Sequence, residues 1–277
     1  MHMNSSQNID TIFHKQLQNN SPVSLKVRME YLIRIEKWIN SHKQEIKEAH
    51  YEDLRKPESE IELAEIWFVL SEIKIAKKNL KKWIKPKRVG KSTLALSTAR
   101  SWIHYEPRGM VLIIAPWNFP FNLTIGPLVS ALAAGNRIII KPSELTPNVS
   151  AIMDSMIKDI FKPEQVALFQ GDQQISETLL KYPFHHVFFT GSPTIGKIVM
   201  QAASKHLASI TLELGGKTPT IIDQTAKMEM TTNKLVWGKC LNLGQSCISP
   251  DYILVHDSKK NQLINQLSNK LNIVYGK

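Results

Sequence analysis

A chain of 277 residues, 43% of them hydrophobic and 21% charged, has enough apolar material for a sizeable core and reads as a folded protein, neither disordered nor fibrous. Its length favours two structural units over one. The formal charge of +11, from 35 basic and 24 acidic residues, raises nucleic-acid binding as a class to test. No apolar run nears the roughly 18 residues of a membrane span, and the opening "MHMNSSQNID" lacks the apolar centre of a signal peptide, so a cytoplasmic location is expected.

The first elements read as helices. Ser21 and Pro22 look like a cap followed by proline at the first helical position, after which Leu25, Met29, Leu32, Ile35 and Ile39 recur at helical spacing. A second long helix runs through Ile61, Ile66, Leu70, Ile73 and Leu80 and enters the basic run "AKKNLKKWIKPKRVGK", residues 76–91. There Lys77, Lys78, Lys81 and Lys82 alternate with Leu80, Trp83 and Ile84, as on a helix with a solvated charged face and an inward apolar one. No interleaved aromatic platform for stacking bases follows, so no nucleic-acid partner is expected.

From residue 110 the period changes. "MVLIIAP", "NRIIIKP", "QVALFQG", "HHVFFTG" and "SITLELGG" are short β-branched runs, each ended by Pro or Gly. Helix-length segments separate them, among them "TPNVSAIMDSMIKDIF", which opens with Thr146 as cap and Pro147 at the first helical position. This alternation predicts an α/β fold: a parallel sheet covered on both faces, with ligands at the carboxyl ends of its strands.

Those ends carry the unusual residues, and each has a bland reading beside a functional one. "TGSPTIG" is a strand-to-helix turn with Gly191, Ser192 and Gly196 whose N–H groups could face a phosphate, although it lacks G-x-G-x-x-G and a two-glycine turn is more often only a turn. Lys141 and Glu144 in "KPSE" could grip a ribose or be ordinary surface charges. Glu213, in an apolar strand ended by Gly215 and Gly216, must be paired, exposed in a cleft, or raised in pKa. Asn118 in "APWNFPF" lies between prolines that fix the backbone, which by itself reads as a rigid turn. The two cysteines, Cys240 and Cys247, are too few to staple the fold and have neither C-x-x-C spacing nor a histidine between them, so neither disulfide nor metal site is expected. His185 and His186 are adjacent on a strand and point to opposite faces, which favours structural or solvent-facing roles. Cys247, between Gly244 and Pro250, stays open between a buried filler and a nucleophile.

Taken in order, "PWNFPFNLTIGPLVSALAAGNRIIIKPSELTP", "FFTGSPTIGKIVMQAASKHL", "TLELGGKTP" and "GQSCISPDY" resemble the aldehyde dehydrogenase superfamily, from about residue 20 to the end. "LTI" after the Asn motif and "PDYIL" after the cysteine are most similar to its class 3 branch, which handles fatty and aromatic aldehydes. The resemblance implies an atypical Rossmann parallel sheet with N-terminal helices, forming an NAD(P)-binding domain over residues 1–212, and the beginning of a catalytic α/β domain over 213–277. It implies that Cys247 attacks the aldehyde, that Asn118 with the backbone N–H of Cys247 stabilises the oxyanion, and that Glu213 activates water against the thioester. For the cofactor it implies Lys141 and Glu144 at the adenosine ribose, Gly191, Ser192 and Gly196 at the pyrophosphate turn, and contacts from Trp117 and Gly215.

A carboxylate at Glu144 favours NAD, and nearby Lys141 allows NADP. Pro193 stands where family members commonly have a small polar residue, and it removes one backbone donor. The implied partners are an aldehyde substrate and, in the parent protein, a second identical subunit; no metal is implied. Too few residues follow Cys247 to close a second domain, so the chain resembles about the first three-fifths of such an oxidoreductase and is expected to be inactive or nearly so alone. The alternatives are a non-catalytic nucleotide-binding remnant and a cysteine hydrolase using Cys247 and Glu213 without a cofactor.

Overall fold

All five apolar runs form strands of one parallel sheet in the computed structural model, which describes residues 5–19, 22–90 and 98–276. Ser21, Lys91 and the first four residues, used in the sequence reading, lie outside these. The chain divides into two compact units, Met1–Glu213 and Leu214–Lys277.

In the first unit, α1 (Ser5–Gln18), α2 (Leu25–Ser41) and α3 (Lys43–Leu54) come first. The expected start of α2 at Ser21 and Pro22 is corrected. Ser24 is the cap, its extended backbone letting the side chain accept the N–H of Val27 at 3.4 Å. A serine reaches that donor only from directly ahead of the first turn, so the nearer serine takes the role.

Next, α4 (Glu58–Ile61), a π-helical turn (Glu62–Trp67) and α5 (Phe68–Trp83) follow one another without a break. The π turn widens the repeat by one residue, and Ala64, Glu65 and Ile66 are all buried in it. Val69 then takes the next core position, while the expected Leu70 packs at the core margin. Two short strands, β1 (Lys87–Arg88) and β2 (Trp102–Ile103), pair antiparallel.

The alternating part runs β3 (Met110–Ile114), α6 (Asn122–Ala134), β4 (Arg137–Lys141), α7 (Pro147–Ile160), β5 (Val166–Leu168), α8 (Gln173–Leu179), β6 (His186–Thr190), α9 (Pro193–Ser204) and β7 (Ser209–Glu213). The spatial order is β5-β4-β3-β6-β7, all parallel. The chain thus builds from β3 to one edge, then returns to add β6 and β7 on the other side. Such a reversal, here between β3 and β6, leaves a crevice outside the strands' carboxyl ends. Every residue of β3 and β4 is buried. On one face Val111, Ile113, Ile138 and Ile140 share a core with Ile35, Ile73, Leu128 and Met153 from the helices.

Helix α7 starts at Pro147 as expected, but Thr146 makes no capping bond. Asp53 near the end of α3 takes that role, accepting the N–H of Asn148 at 3.2 Å and of Val149 at 2.8 Å. Its two oxygens satisfy two orphan donors and complement the positive helix end.

In the second unit β8 (Thr218–Ile222) pairs in parallel with β9 (Pro250–Val255), and α10 (Met228–Cys240) packs on α11 (Lys260–Tyr275). The sequence reading did not anticipate β8, because Pro219 interrupts "TPTII". A bulge between Thr218 and Pro219 accommodates the residue that has no N–H to donate. Ile222, Met228, Leu235 and Leu263 form a small core. Among the described residues no helix is long and apolar enough to cross a membrane.

Candidate active site

The carboxyl edge of the five-stranded sheet gathers the residues singled out in the first unit. The turn holding Trp117 and Asn118 follows β3, Lys141 ends β4, Gly191 and Ser192 follow β6, and Glu213 ends β7. Because β3 and β6 are neighbours, the Asn118 turn and the Gly191 turn flank the switch point. Trp117 and Asn118 are half-buried and Glu213 is exposed.

Lys141 is only 4% exposed, and its ammonium lies 2.5 Å from Oε2 of the partly exposed Glu144. Burial pushes the Glu144 carboxyl up, but the hydrogen bond and charge of Lys141 outweigh it and hold the group below its usual range. A buried ammonium needs its partner, so "KPSE" is not a pair of idle surface charges.

At the start of α9, Ser192 accepts the N–H of Ile195 at 3.3 Å, and Pro193 occupies the first helical position. The missing N–H there would have had no intrahelical partner anyway. The Gly191 N–H donates to the Glu213 carbonyl at 2.9 Å. A Cβ on Gly191 would sit 2.5 Å from the Phe189 ring, and Gly196 is buried. A helix N-terminus after β6 and a Lys–carboxylate pair after β4, on either side of β3 at the carboxyl edge, suit a dinucleotide.

The histidines have structural partners. His185 Nδ1 accepts the Met110 N–H at 3.0 Å, tying β6 to β3. His186 meets Ser209 Oγ at 2.8 Å and Thr211 Oγ1 at 3.2 Å; burial, and then the charge of Arg108, hold its pKa below the usual value. Among the described residues no group of three or more His, Cys, Asp or Glu is placed to hold a metal. A groove of about 520 Å³ alongside α6, lined in part by Glu72, Arg108, Asn122 and His186, contains none of the site residues expected from the sequence.

In the second unit Cys247 is an exposed free thiol and Cys240 a half-buried one. Ahead of Cys247, three successive residues take left-handed backbone: Asn242 (φ 50°), Leu243 (φ 56°) and Gly244 (φ 75°). The backbone and side-chain N–H groups of Gln245 both donate to the Asn242 carbonyl at 3.0 Å, which holds this turn closed. The second glycine of "LGGK" also finds its reason here. A Cβ on Gly216 would lie 2.1 Å from the Cys247 carbonyl oxygen, to which the Thr218 hydroxyl donates at 3.5 Å. The backbone of Cys247 is pinned while its thiol stays accessible. Gly215, exposed, has open space where a Cβ would be.

One cluster escaped the sequence reading. Glu65, fully buried in the π turn, has Lys56 Nζ 2.6 Å and His50 Nε2 3.4 Å from Oε1. Burial pushes the Glu65 carboxyl up, yet the hydrogen bond and charge of His50, then those of Lys56, hold it below its usual range. Oε2 accepts the Asn122 N–H at 2.9 Å, and Lys56 also donates to the Asn118 carbonyl at 3.1 Å. The available signal was a carboxylate on the core stripe between Ile61 and Val69.

Compared with known proteins, residues 11–276 match the model described as "Aldehyde dehydrogenase family". The 4,4'-diaponeurosporen-aldehyde dehydrogenase of Staphylococcus aureus is 47% identical over 252 residues, 91% of this chain and 55% of that protein. Aldehyde dehydrogenase family 3 member B1 of Homo sapiens is 40% identical over 240 residues, 87% of this chain and 51% of that one. Among solved structures, substrate-bound Staphylococcus aureus AldH superposes with a TM-score of 0.93 at 44% identity, covering 97% of this chain and 59% of its own. Glyceraldehyde-3-phosphate dehydrogenase GapN of Methanocaldococcus jannaschii, complexed with NADP, gives 0.83 at 26% identity, covering 97% and 58%. The chain spans about half the length of the curated relatives it matches.

Proposed function

The chain belongs to the aldehyde dehydrogenase family, and from that premise we propose that the whole protein oxidises an aldehyde to a carboxylate with NAD or NADP, using Cys247 as nucleophile, Asn118 as oxyanion donor and Glu213 as base. The observation that carries this reading is the array of Asn118, Lys141, Gly191, Ser192 and Glu213 along one carboxyl edge, around a switch point. A sheet edge of that kind is where a dinucleotide finds its phosphate and ribose contacts.

The steps follow from the side chains. The Cys247 thiolate adds to the carbonyl carbon and gives a tetrahedral thiohemiacetal. Its oxyanion takes hydrogen bonds from the Asn118 side-chain amide and the Cys247 N–H, each such donor contributing about 3 kcal/mol to the transition state. A bound nicotinamide nucleotide would supply the hydride acceptor; as the oxyanion re-forms its C=O bond, the C–H bond breaks with its electron pair and a thioester remains on Cys247. Glu213 then takes the proton of the water that cleaves the thioester.

Lys141 and Glu144 would hold the adenosine ribose and Gly191, Ser192 and Gly196 the pyrophosphate, with Trp117 and Gly215 adding contacts. Glu144 accepts from a 2′-hydroxyl and repels a 2′-phosphate, which favours NAD. In this reading residues 1–212 carry the nucleotide and residues 213–277 begin the catalytic part. The protein works as a cytoplasmic homodimer. The relative named for 4,4'-diaponeurosporen-aldehyde makes long apolar aldehydes the first substrates to try.

The test is turnover of such an aldehyde by the protein purified from its own cells. Cys247→Ser is expected to remove reduced-cofactor formation and leave cofactor binding intact. Turnover that survives the substitution would sink the nucleophile assignment. Cofactor binding with no turnover in the unsubstituted protein would leave the nucleotide-binding remnant as the reading.

A further inference from the structure

Resting on the reading of Asn118 as oxyanion donor, we propose that Lys56 and Glu65 are positioning residues: one buried ion pair clamps both ends of the 118–122 turn and so sets the direction of the Asn118 amide. The Lys56 ammonium, 2% exposed, donates to the Asn118 carbonyl at 3.1 Å and lies 4.5 Å from the centre of the Phe119 ring. Its partner Glu65, fully buried, accepts the Asn122 N–H at 2.9 Å, and Asn122 returns a side-chain bond to the Ala64 carbonyl at 3.0 Å.

His50 completes the cluster. Its Nδ1 donates to the Ile46 carbonyl at 2.7 Å, which turns Nε2 toward Glu65. The Lys56 ammonium has three N–H donors; one goes to Glu65 and another is accepted by the Asn118 carbonyl.

The turn has few freedoms left. Pro116 and Pro120 fix two φ angles and restrict the residues before them. The peptide that carries the Asn118 carbonyl lies between these prolines, and Lys56 holds its oxygen. The π turn carries Glu65 inward, where it is buried together with Ala64 and Ile66.

A core ion pair kept only for stability has no need to bond both ends of a catalytic turn, and apolar residues of similar volume often serve a core as well or better. The substitution for the test is therefore the pair Lys56→Met and Glu65→Gln, which leaves no unpaired ion behind. Should it not fold, Lys56→Arg takes its place with the same readouts, because it keeps a cation beside Glu65 but displaces its donors.

Hydrogen exchange on the chain is expected to show faster exchange at the Asn122 amide and its neighbours, with strand β4 unchanged. Turnover by the full protein is expected to fall about 100-fold in kcat with KM little altered. Added to Asn118→Ala, the same pair is expected to cost nothing further, because its effect passes through that amide. Unchanged exchange in the turn, or an undiminished kcat loss on the Asn118→Ala background, overturns the proposal. Loosening of the turn in a protein where Asn118→Ala alone leaves kcat intact overturns the oxyanion reading instead.

Discussion

Leu243 holds a left-handed backbone while its side chain is 85% exposed, so no packing offsets the clash between its Cβ and the following carbonyl. Leu243→Asn relieves that clash and keeps a side chain, and a gain of up to about 1 kcal/mol is expected in thermal or denaturant unfolding. A loss would show that the leucine is covered in the whole protein. Gly216→Ala acts in the opposite sense: its Cβ meets the Cys247 carbonyl at 2.1 Å and the backbone must move, at a cost of about 1–3 kcal/mol. Its signature is a lower melting temperature together with a changed alkylation rate at Cys247.

Glu65 gives a pH prediction. Its folded-state pKa is depressed, so the stability it lends is complete above the unfolded carboxyl value of about 4.3 and is lost as the pH falls through the lower folded value. The melting temperature should therefore drop on acidification below that value, and less steeply when Lys56→Met and Glu65→Gln are made together. Equal slopes would put the acid sensitivity in other carboxylates. The strand-end residues Asn118, Lys141, Ser192 and Glu213 were legible in sequence because an apolar run ended by Gly or Pro marks its own carboxyl end. Lys56 and His50 were not, because their partners arrive from other helices and no spacing rule joins them.

Among the elements, α7 shows how a cap can be misread. Thr146 precedes Pro147 as a capping residue would, yet the donors of the first turn go to Asp53 on α3, far away in sequence. Asp53→Ala should cost about 1 kcal/mol and lower the melting temperature by about 2–4 °C, while Thr146→Ala should cost no capping energy. Comparable losses from both would return the cap to Thr146. The five sheet strands were readable because each is a short run rich in β-branched or aromatic residues ended by Pro or Gly, although only β3 and β4 are buried throughout. The π turn was not: one inserted residue in a helical stripe only moves the core position from Leu70 to Val69, and both are apolar.

At the scale of the whole chain, the two units differ in what holds them. Residues 1–213 enclose a contiguous core drawn from α2, α5, α6, α7 and the sheet, whereas among the described residues of 214–277 the core cluster is Ile222, Met228, Leu235 and Leu263, with Val236 also buried. So small a core is marginal for a unit of that size. Limited proteolysis of the chain is expected to cut within 214–277 first and to leave a fragment near residues 1–213 that unfolds cooperatively. Equal resistance of both parts would mean that the second unit draws stability from contacts beyond its own core.

The contrast between the two thiols has a practical side. With Cys247 exposed and Cys240 half-buried, a maleimide dye added in stoichiometric amount to the reduced protein should attach at one place. Its emission would then report, in real time and without turnover, whether an added nucleotide or aldehyde changes the surroundings of residue 247.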